Sequence, residues 1–227
     1  MPRHLAIGDI HGCYQSFKSL LEFINLREDD VLITLGDYCD RGPNTYAVID
    51  YLIHLHASGN LRPLRGNHEI MTLHSRDNRE EFEKWINVGG DATLLSYAPF
   101  EGDCGRLTDV PDSHWRFLQS SLLPYYETDS HYFVHGNAYQ DVPLADQHNY
   151  KFYWEQFGDP SKLKSGKTMV CAHPSQKSGL PATSGNVIYI DTWVCRSGWL
   201  TCLDVDSGKI WQANERGETR ELWLDEL

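Results

Sequence analysis

The sequence predicts an α/β fold in which a sandwich of mixed β-sheets is flanked by helices and built on a βαβαβ core. Over the first 75 residues, short β-rich runs ending near glycine alternate with longer stretches that place apolar residues at helical spacing. This alternation predicts parallel strands joined by right-handed crossovers. In the last third of the chain, strand-like runs follow one another without long helices between them, so much of the pairing there is expected to be antiparallel.

The βαβαβ core is predicted from the apolar pattern between positions 5 and 64. Its three strands are expected over residues 5–7, 31–35 and 61–64. The first helix is expected over residues 13–24. The second is expected to begin near Pro43, which suits a helix start, and to continue up to Gly59.

The remaining chain is predicted to be mostly helical in its middle and stranded at its end. Helix-forming residues are common over 76–123, where Asp112 is expected to cap a helix that runs to Leu123. The late strands are expected over residues 131–135, 168–172, 187–191, 199–205 and 209–213. The residues Asp206-Ser207-Gly208-Lys209 form a hairpin turn signal between the last two strands. Because no repeat or linker-like tract interrupts the sequence, one domain over residues 1–227 is expected.

Charge and hydropathy argue against two classes of partner. A net charge of −12 leaves little basic surface for nonspecific nucleic-acid binding, so no nucleic-acid partner is expected. No apolar run approaches the roughly 18 residues of a membrane span, so no membrane partner is expected. Residues 1–4 lead directly into a predicted strand, which leaves no room for a signal peptide. The six cysteines show no pairing pattern and are expected to be reduced thiols, which favours a cytoplasmic location.

Polar side chains of the types that bind metal ions follow five of the predicted strands. The segment Gly8-Asp9-Ile10-His11-Gly12 follows the first strand, residues 36–42 follow the second, and Gly66-Asn67-His68-Glu69 follows the third. Single histidines follow two later strands. Sites in α/β proteins form at such strand ends. The candidate metal ligands are Asp9, His11, Asp37, Asn67, His135 and His173.

The types of these donors indicate a centre with two divalent cations. Mixed oxygen and nitrogen ligands suit Mn, Fe or Zn better than Mg or Ca. Six ligands are too many for one Zn ion, and they match two ions that share one carboxylate. Taken singly, a Gly-Asp pair after a strand is usually a turn, and a buried histidine is usually a hydrogen-bonded core residue. Three such segments in order, each at a strand end, favour the metal site.

These motifs resemble those of the phosphoprotein phosphatase family of calcineurin-like metallophosphoesterases. That family's pattern is GDxHG, then GDxVDRG, then GNHE, then two separated histidines, and the chain has each of them with Cys39 in place of the usual valine. The stretch from Trp85 to Tyr97 also resembles the bacterial branch, and the segment Tyr189-Ile190-Asp191-Thr192 resembles the one that follows the last metal histidine of the family. The resemblance covers nearly the whole chain. It implies a metallophosphoesterase-type β-sandwich and a metal-dependent phosphoesterase.

The resemblance also implies a role for each ligand of the metal centre. Asp9 and His11 would bind the first ion, Asn67, His135 and His173 the second, and Asp37 both. A water molecule between the ions would attack the phosphorus atom. Manganese is the expected metal, with iron or zinc as the open alternatives.

Other residues of the same motifs would act on the substrate. His68 would be the general acid that protonates the leaving oxygen, and the Asp40 carboxylate would orient it. Arg41 would contact the phosphate together with Asn67 and His68. Glu69 is expected to lie behind the metal ligands and to anchor Arg41 by an ion pair.

The chain departs from the family's pattern in two places. Many relatives have a second phosphate-binding arginine between the two late histidines, and here Gln156 stands at the comparable position. Weaker phosphate affinity is therefore expected, unless Lys151 or another lysine takes over. His173 lies in an Ala-His-Pro sequence where relatives have Gly-His-Thr. That change leaves the expected metal-binding role of His173 intact and alters the residues beside it.

Three functions are compatible with these motifs. The first is hydrolysis of phosphate monoesters by a protein serine/threonine phosphatase, acting on a phosphorylated protein or a small phosphoester. The short chain favours it, because little extra structure is available to grip two nucleosides. The second is a dinucleoside polyphosphate hydrolase or nucleotide phosphodiesterase, since two cations handle the phosphorus centre alike in all these substrates. The third is an inactive metal-binding interaction protein, which the full ligand set disfavours.

Overall fold

The computed structural model describes residues 2–139, 142–155 and 166–227, and it contains two facing β-sheets with helices on their outer sides. The strands are β1 His4–Ile7, β2 Val31–Thr34, β3 Leu61–Pro63, β4 Tyr126–Glu127, β5 His131–Val134, β6 Thr168–Cys171, β7 Ala182–Ser184, β8 Val187–Tyr189, β9 Asp191–Thr192, β10 Trp199–Asp204, β11 Lys209–Ala213 and β12 Thr219–Trp223. The α-helices are α1 Tyr14–Ile24, α2 Thr45–Ala57, α3 Asn67–His74, α4 Arg79–Trp85, α5 Asp91–Ser96, α6 Asp112–Ser120 and α7 Asn149–Trp154. A π-helical segment, Ile86–Gly90, joins α4 to α5.

The first sheet has the order β12-β11-β10-β1-β2-β3, with β9 paired to β10. Strands β1, β2 and β3 are parallel and are joined by α1 and α2, so the predicted βαβαβ core is confirmed. The pairs β1–β10, β10–β11 and β11–β12 are antiparallel, as expected for the end of the chain.

The second sheet has the order β4-β5-β6-β8-β7 and corrects the expected pairing of the late strands. Strands β5, β6 and β8 are parallel, although much of this region was expected to be antiparallel. The reason is that parallel neighbours need a long crossover but not a long helix. Between β6 and β8, a turn and the short strand β7 make that crossover.

The two sheets pack face to face through a shared apolar layer. Ala6 and Ile33 of the first sheet belong to one buried cluster with Phe133, Val170 and Ile188 of the second. Helices α1, α2 and α6 cover the outer face of the first sheet with a second cluster. The chain therefore forms a mixed-sheet sandwich flanked by helices, as predicted.

Helix ends differ from the prediction where local capping decides them. Helix α2 begins at Thr45 rather than at Pro43, because the Asn44 side chain accepts the Ala47 N–H at 3.0 Å and caps the first turn. Asp112 is the first residue of α6 and not its cap, a position that Pro111 takes. Within the described ranges, no helix is long and apolar enough to cross a membrane.

An ion pair between the two ends of the first βα unit leads to a prediction about stability. Arg3 Nε donates to the buried Asp30 carboxylate at 2.9 Å, and the Arg27 N–H donates to it at 2.7 Å. Burial alone would raise the pKa of Asp30, but the hydrogen bonds from Arg3 and Arg27 outweigh it and hold that pKa below its ordinary value. We expect Asp30→Asn to lower the free energy of unfolding at pH 7 by about 1–3 kcal/mol.

This loss should depend on pH with a defined sign. Because the folded-state pKa of Asp30 is the lower one, its contribution is full above the unfolded value of about 4 and disappears as pH falls through the folded value. Urea unfolding at pH 7 and near pH 3 tests this, with the exposed neighbour changed in Asp29→Asn as the control. A difference from the native protein that is equally large at both pH values would contradict the assignment.

Candidate metal centre

The predicted metal ligands converge at one edge of the sandwich. Asp9 and Asp37 follow the parallel strands β1 and β2, and His135 follows β5 of the facing sheet. The Asp37 carboxylate lies 3.6 Å from His11 Nε2 and 3.4 Å from His135 Nε2. Asp9 lies 3.7 Å from His135 Nδ1. Side chains more than a hundred positions apart in sequence therefore meet within a few ångströms.

Asn67 and His173 complete this cluster. The inward-facing amide atom of Asn67 lies 3.0 Å from His135 Nε2 and 3.3 Å from His173 Nδ1 and from both Asp37 oxygens. As a nitrogen it donates to these atoms, and as an oxygen it joins a ring of acceptors suited to a cation. The structure thus brings together all six side chains predicted as ligands.

The donors form two overlapping groups. His11, Asp37 and His68 have ligand atoms within 4.8 Å of one another, and so do Asp37, His135 and His173. Asp37 belongs to both groups, which is the position expected of a carboxylate shared by two ions. Carboxylate oxygens with neutral imidazoles suit divalent transition metals, so the donor chemistry fits a pair of cations.

The charge states of the buried histidines and of Asp37 agree with that chemistry. Burial lowers the pKa of His11 and of His135, and it lowers that of His173 to about 4, so these imidazoles are neutral as metal binding requires. Burial opposes ionisation of Asp37, but the surrounding histidines outweigh it and hold the pKa of Asp37 well below its ordinary value. Burial and the Asp191 charge raise the pKa of Asp9.

Unusual backbone conformations place these side chains. His11, Asp37 and His173 have positive φ angles of 46°, 51° and 57°, and the left-handed region is costly for residues other than glycine. Gly66 follows β3 at a point where a Cβ atom would lie 2.2 Å from Asp37 Oδ1. The glycine at this position is therefore required for the close approach of two ligand loops.

His68 is held by a buried carboxylate, as the resemblance implied. Its Nδ1 lies 2.6 Å from Asp40 Oδ2, while its Nε2 faces Asp37 Oδ2 at 4.0 Å. Burial would lower the pKa of His68, but Asp37 and the hydrogen bond to Asp40 outweigh it and raise the pKa above its ordinary value. His68 can therefore carry a proton on the nitrogen that faces the cluster.

Arg41 lies at the exposed mouth of the cluster. Its guanidinium Nη1 is 2.7 Å from His11 Nε2, and its backbone N–H donates to the Gly89 carbonyl at 3.1 Å. A Cβ at Gly89 would lie 2.7 Å from Arg41 Cγ. Gly89, from the segment that resembles the bacterial branch, thus leaves room for the arginine.

Glu69 does not form the ion pair with Arg41 that was expected of it. Its carboxylate accepts backbone N–H groups from Asp37 at 2.9 Å, Tyr38 at 2.7 Å and Gly66 at 2.9 Å. The reason is its position in the first turn of α3, which directs the side chain back toward the helix start. Burial and the Asp37 charge raise the pKa of Glu69 to about 7. Glu69 therefore fixes the backbone of the loop that carries Asp37.

The structure does not support Lys151 as the replacement for a second phosphate-binding arginine. Lys151 is buried, pairs with Glu155 at 2.5 Å and lies 4.4 Å from the Tyr139 ring centroid. Its ammonium group is therefore paired with the residue that follows α7 and with the Tyr139 ring. Gln156 lies outside the described residues.

Two functional contacts were missed by sequence reasoning. Asp191 is buried beside Asp9 and accepts the Trp193 N–H at 3.0 Å, so it packs behind the first ligand. The Asp40 carboxylate accepts hydrogen bonds from the Thr93 hydroxyl at 2.7 Å and from Trp85 Nε1 at 2.9 Å. In the sequence, the only signal for either contact was the resemblance of residues 85–97 and 189–192 to segments of the family.

Thr93 provides a test of this buried network. Thr93→Val removes one of the three side-chain donors to Asp40 and leaves a buried acceptor underused, so the free energy of unfolding should fall by about 1–3 kcal/mol. Thr93→Ser keeps the hydroxyl and should lose clearly less in the same urea titration. Equal losses in the two variants would show that packing of the methyl group, and not the hydrogen bond, explains the effect.

Comparison with known proteins identifies relatives of this fold and site. The sequence profile described as calcineurin-like phosphoesterase matches residues 2–191. A symmetrical bis(5'-nucleosyl)-tetraphosphatase of Wigglesworthia glossinidia brevipalpis is 42% identical over 71 residues, which are 31% of this chain and 25% of that protein. A serine/threonine-protein phosphatase 1 of Salmonella typhimurium is 35% identical over 91 residues, 39% of this chain and 40% of that protein.

These matches differ in what they cover. The chain matches only 25–40% of the length of those curated relatives. A crystal structure of a provisionally assigned diadenosine tetraphosphatase superposes with a TM-score of 0.66 at 16% identity, covering 98% of this chain and 96% of that one. The structural match therefore extends the shared fold over the whole chain.

Proposed function

Because the chain belongs to the calcineurin-like phosphoesterase family, we propose that it is a metal-dependent phosphoesterase that hydrolyses its substrate at two divalent cations. The proposed ligands are Asp9, His11, Asp37, Asn67, His135 and His173. The observation that carries this proposal is the membership of Asp37 in both donor groups. Manganese is the proposed metal, with iron and zinc as alternatives, because the donor set mixes oxygen and nitrogen.

We further propose that the substrates are dinucleoside polyphosphates. Support comes from the Wigglesworthia bis(5'-nucleosyl)-tetraphosphatase, which is 42% identical over 71 residues, against 35% over 91 residues for the serine/threonine phosphatase. This class was the alternative interpretation of the sequence, and it now takes precedence over phosphoproteins. Hydrolysis of phosphoserine or phosphothreonine is the second candidate, supported by the Salmonella relative.

The side chains around the cations would divide the work of hydrolysis. Cations held by these ligands would neutralise charge at the phosphoryl oxygens and lower the pKa of a bound water. Arg41, exposed at the mouth, would hold the phosphoryl group with its planar donors. As the water oxygen bonds to phosphorus, the bond to the leaving oxygen breaks, and that oxygen takes the proton from His68 Nε2. Asp40 would keep His68 in the tautomer and orientation this transfer needs.

A substrate panel with metal analysis tests the proposal. The purified protein should contain about two divalent ions per chain, lose activity with a chelator and regain it with Mn²⁺. Among diadenosine tetraphosphate, p-nitrophenyl phosphate, its bis ester and a phosphoserine peptide, kcat/KM should be highest for the first. A higher value for the phosphopeptide would favour the second candidate, and no turnover of any substrate would indicate an inactive metal-binding protein.

A further inference from the structure

A cleft lies beside the proposed metal centre. Its volume is roughly 540 Å³, and its lining includes Arg41, His173, Lys177, Trp193 and Arg196. Ligand pockets of small molecules span about 300–1,000 Å³. The cleft is therefore large enough to hold more of a substrate than one phosphoryl group.

The charge of this cleft is opposite to that of the protein. The whole chain has a net charge of −12, yet Arg41, Lys177 and Arg196 line the cleft, and no aspartate or glutamate among the described residues does. Within the described part of the chain, neither Lys177 nor Arg196 forms an ion pair with a carboxylate. Two uncompensated cations on the wall of a cleft raise the local concentration of anions.

The two loops that carry these cations are fixed to one residue. Asp191 accepts the Gln176 N–H on its backbone carbonyl at 2.8 Å and the Trp193 N–H on Oδ1 at 3.0 Å, and its Oδ2 accepts the Ser175 hydroxyl. Lys177 follows directly after Gln176 in the first loop. Since Asp191 also lies beside Asp9, the rim of the cleft adjoins a proposed metal ligand.

The Trp193 ring is placed in the cleft by a costly backbone conformation. Its φ angle is 66°, which is a rare value for a bulky side chain, and its carbonyl accepts the N–H groups of Arg196 and Gly198 at 3.2 Å each. The indole is half-buried, and Lys177 Nζ lies 5.8 Å from its ring centroid. Strained residues of this kind cluster at ligand sites.

We propose that Lys177 and Arg196 bind a phosphate group adjacent to the one that is cleaved, and that Trp193 stacks on a nucleobase. The ligand class is a nucleotide with a polyphosphate chain, because it alone among the candidate substrates offers both additional phosphates and an aromatic base. This inference rests on the proposed function and names the residues that would give it its specificity. A monoester with one phosphate has no group to place against Lys177 and Arg196.

The test compares two substrates in variants of the cleft. In the double variant Lys177→Ala/Arg196→Ala, the ratio of kcat/KM for diadenosine tetraphosphate to that for p-nitrophenyl phosphate should fall by about tenfold or more, mainly through KM. The single variant Lys177→Arg keeps the positive charge, so it should keep most of the contribution of Lys177 to this ratio. Lys18→Ala, which removes an exposed lysine of α1 outside the cleft, is the matched control and should leave the ratio at its native value.

Trp193 is tested separately with Trp193→Gly, since glycine accepts the positive φ without strain. This variant should lose activity toward diadenosine tetraphosphate but not toward inorganic tripolyphosphate, which has no base. A native protein that does not cleave diadenosine tetraphosphate would refute the proposed substrate class. A native protein that cleaves it, with an unchanged ratio in the double variant, would refute only the phosphate subsite. A loss confined to acidic phosphopeptides would overturn the inference in favour of a peptide groove.

Discussion

Asp37→Asn is expected to reduce kcat/KM for phosphoester hydrolysis by about 10³-fold, which corresponds to about 4 kcal/mol. Asp37 is the only residue that belongs to both donor groups of the described structure, so its charge is needed by both proposed cations. Asparagine has nearly the same shape but carries no charge and offers one oxygen in place of two. Hydrolysis of p-nitrophenyl phosphate and elemental analysis of the purified variant measure the effect. The metal content should fall from two ions to one or fewer.

Two controls separate metal loss from misfolding. The backbone N–H of His68 donates to Asp37 Oδ1 at 3.0 Å, and the asparagine oxygen can still accept this hydrogen bond. The loop that carries residue 37 should therefore persist, and the unfolding transition should remain cooperative. Asp109→Asn, at an exposed position in a 3₁₀ turn, should behave as the native protein in both assays. A variant of Asp37 that retains two ions per chain and most of its rate would refute the shared-ligand assignment.

The convergence of the six proposed ligands could be predicted from sequence because each is a local feature of a strand end. Asp9, Asp37 and Asn67 lie within a few residues of β1, β2 and β3, and the parallel strands of a βαβαβ unit deliver their ends to the same edge. The two late histidines follow β5 and β6 in the same way. Strand and ligand are thus specified by neighbouring residues, and the fold brings the ends together.

Contacts that depend on packing between distant segments could not be predicted. Thr93 donates to Asp40 from 53 positions away, and no local pattern marks that hydrogen bond. The partner of Glu69 depended on its place in the first turn of α3, since a helix starting one residue later would have aimed the carboxylate elsewhere. A motif specifies which residues lie near a site but not the hydrogen bonds each one makes.

The division of one predicted strand shows the same limit. Residues 187–191 were expected to form a single strand, whereas β8 ends at Tyr189 in the second sheet and β9 begins at Asp191 in the first. The apolar pattern gave the extended conformation but not the change of sheet at Ile190. That change places Asp191 beside Asp9 and beneath both loops of the cleft.

His68→Asn is expected to lower kcat by about 10²–10⁴-fold, and by more for phenyl phosphate than for p-nitrophenyl phosphate. The physical reason is that p-nitrophenolate is a stable anion that leaves without a proton, whereas phenolate needs one. His68 is placed to give that proton, because Asp40 at 2.6 Å and the Asp37 charge keep its pKa above the ordinary value. Steady-state kinetics on the two esters measure the difference in leaving-group dependence.

The metal content of this variant decides between two roles for the imidazole. His68 lies within one of the two donor groups, so loss of an ion together with activity would make it a ligand rather than the general acid. Retention of both ions, with the larger loss on phenyl phosphate, supports proton transfer. Asp40→Asn should show the same preference with a smaller loss of about 10–100-fold, since it orients the imidazole without touching the substrate. Equal losses on both esters in His68→Asn would leave no basis for assigning it as the acid, because a missing proton must cost most where the leaving group is most basic.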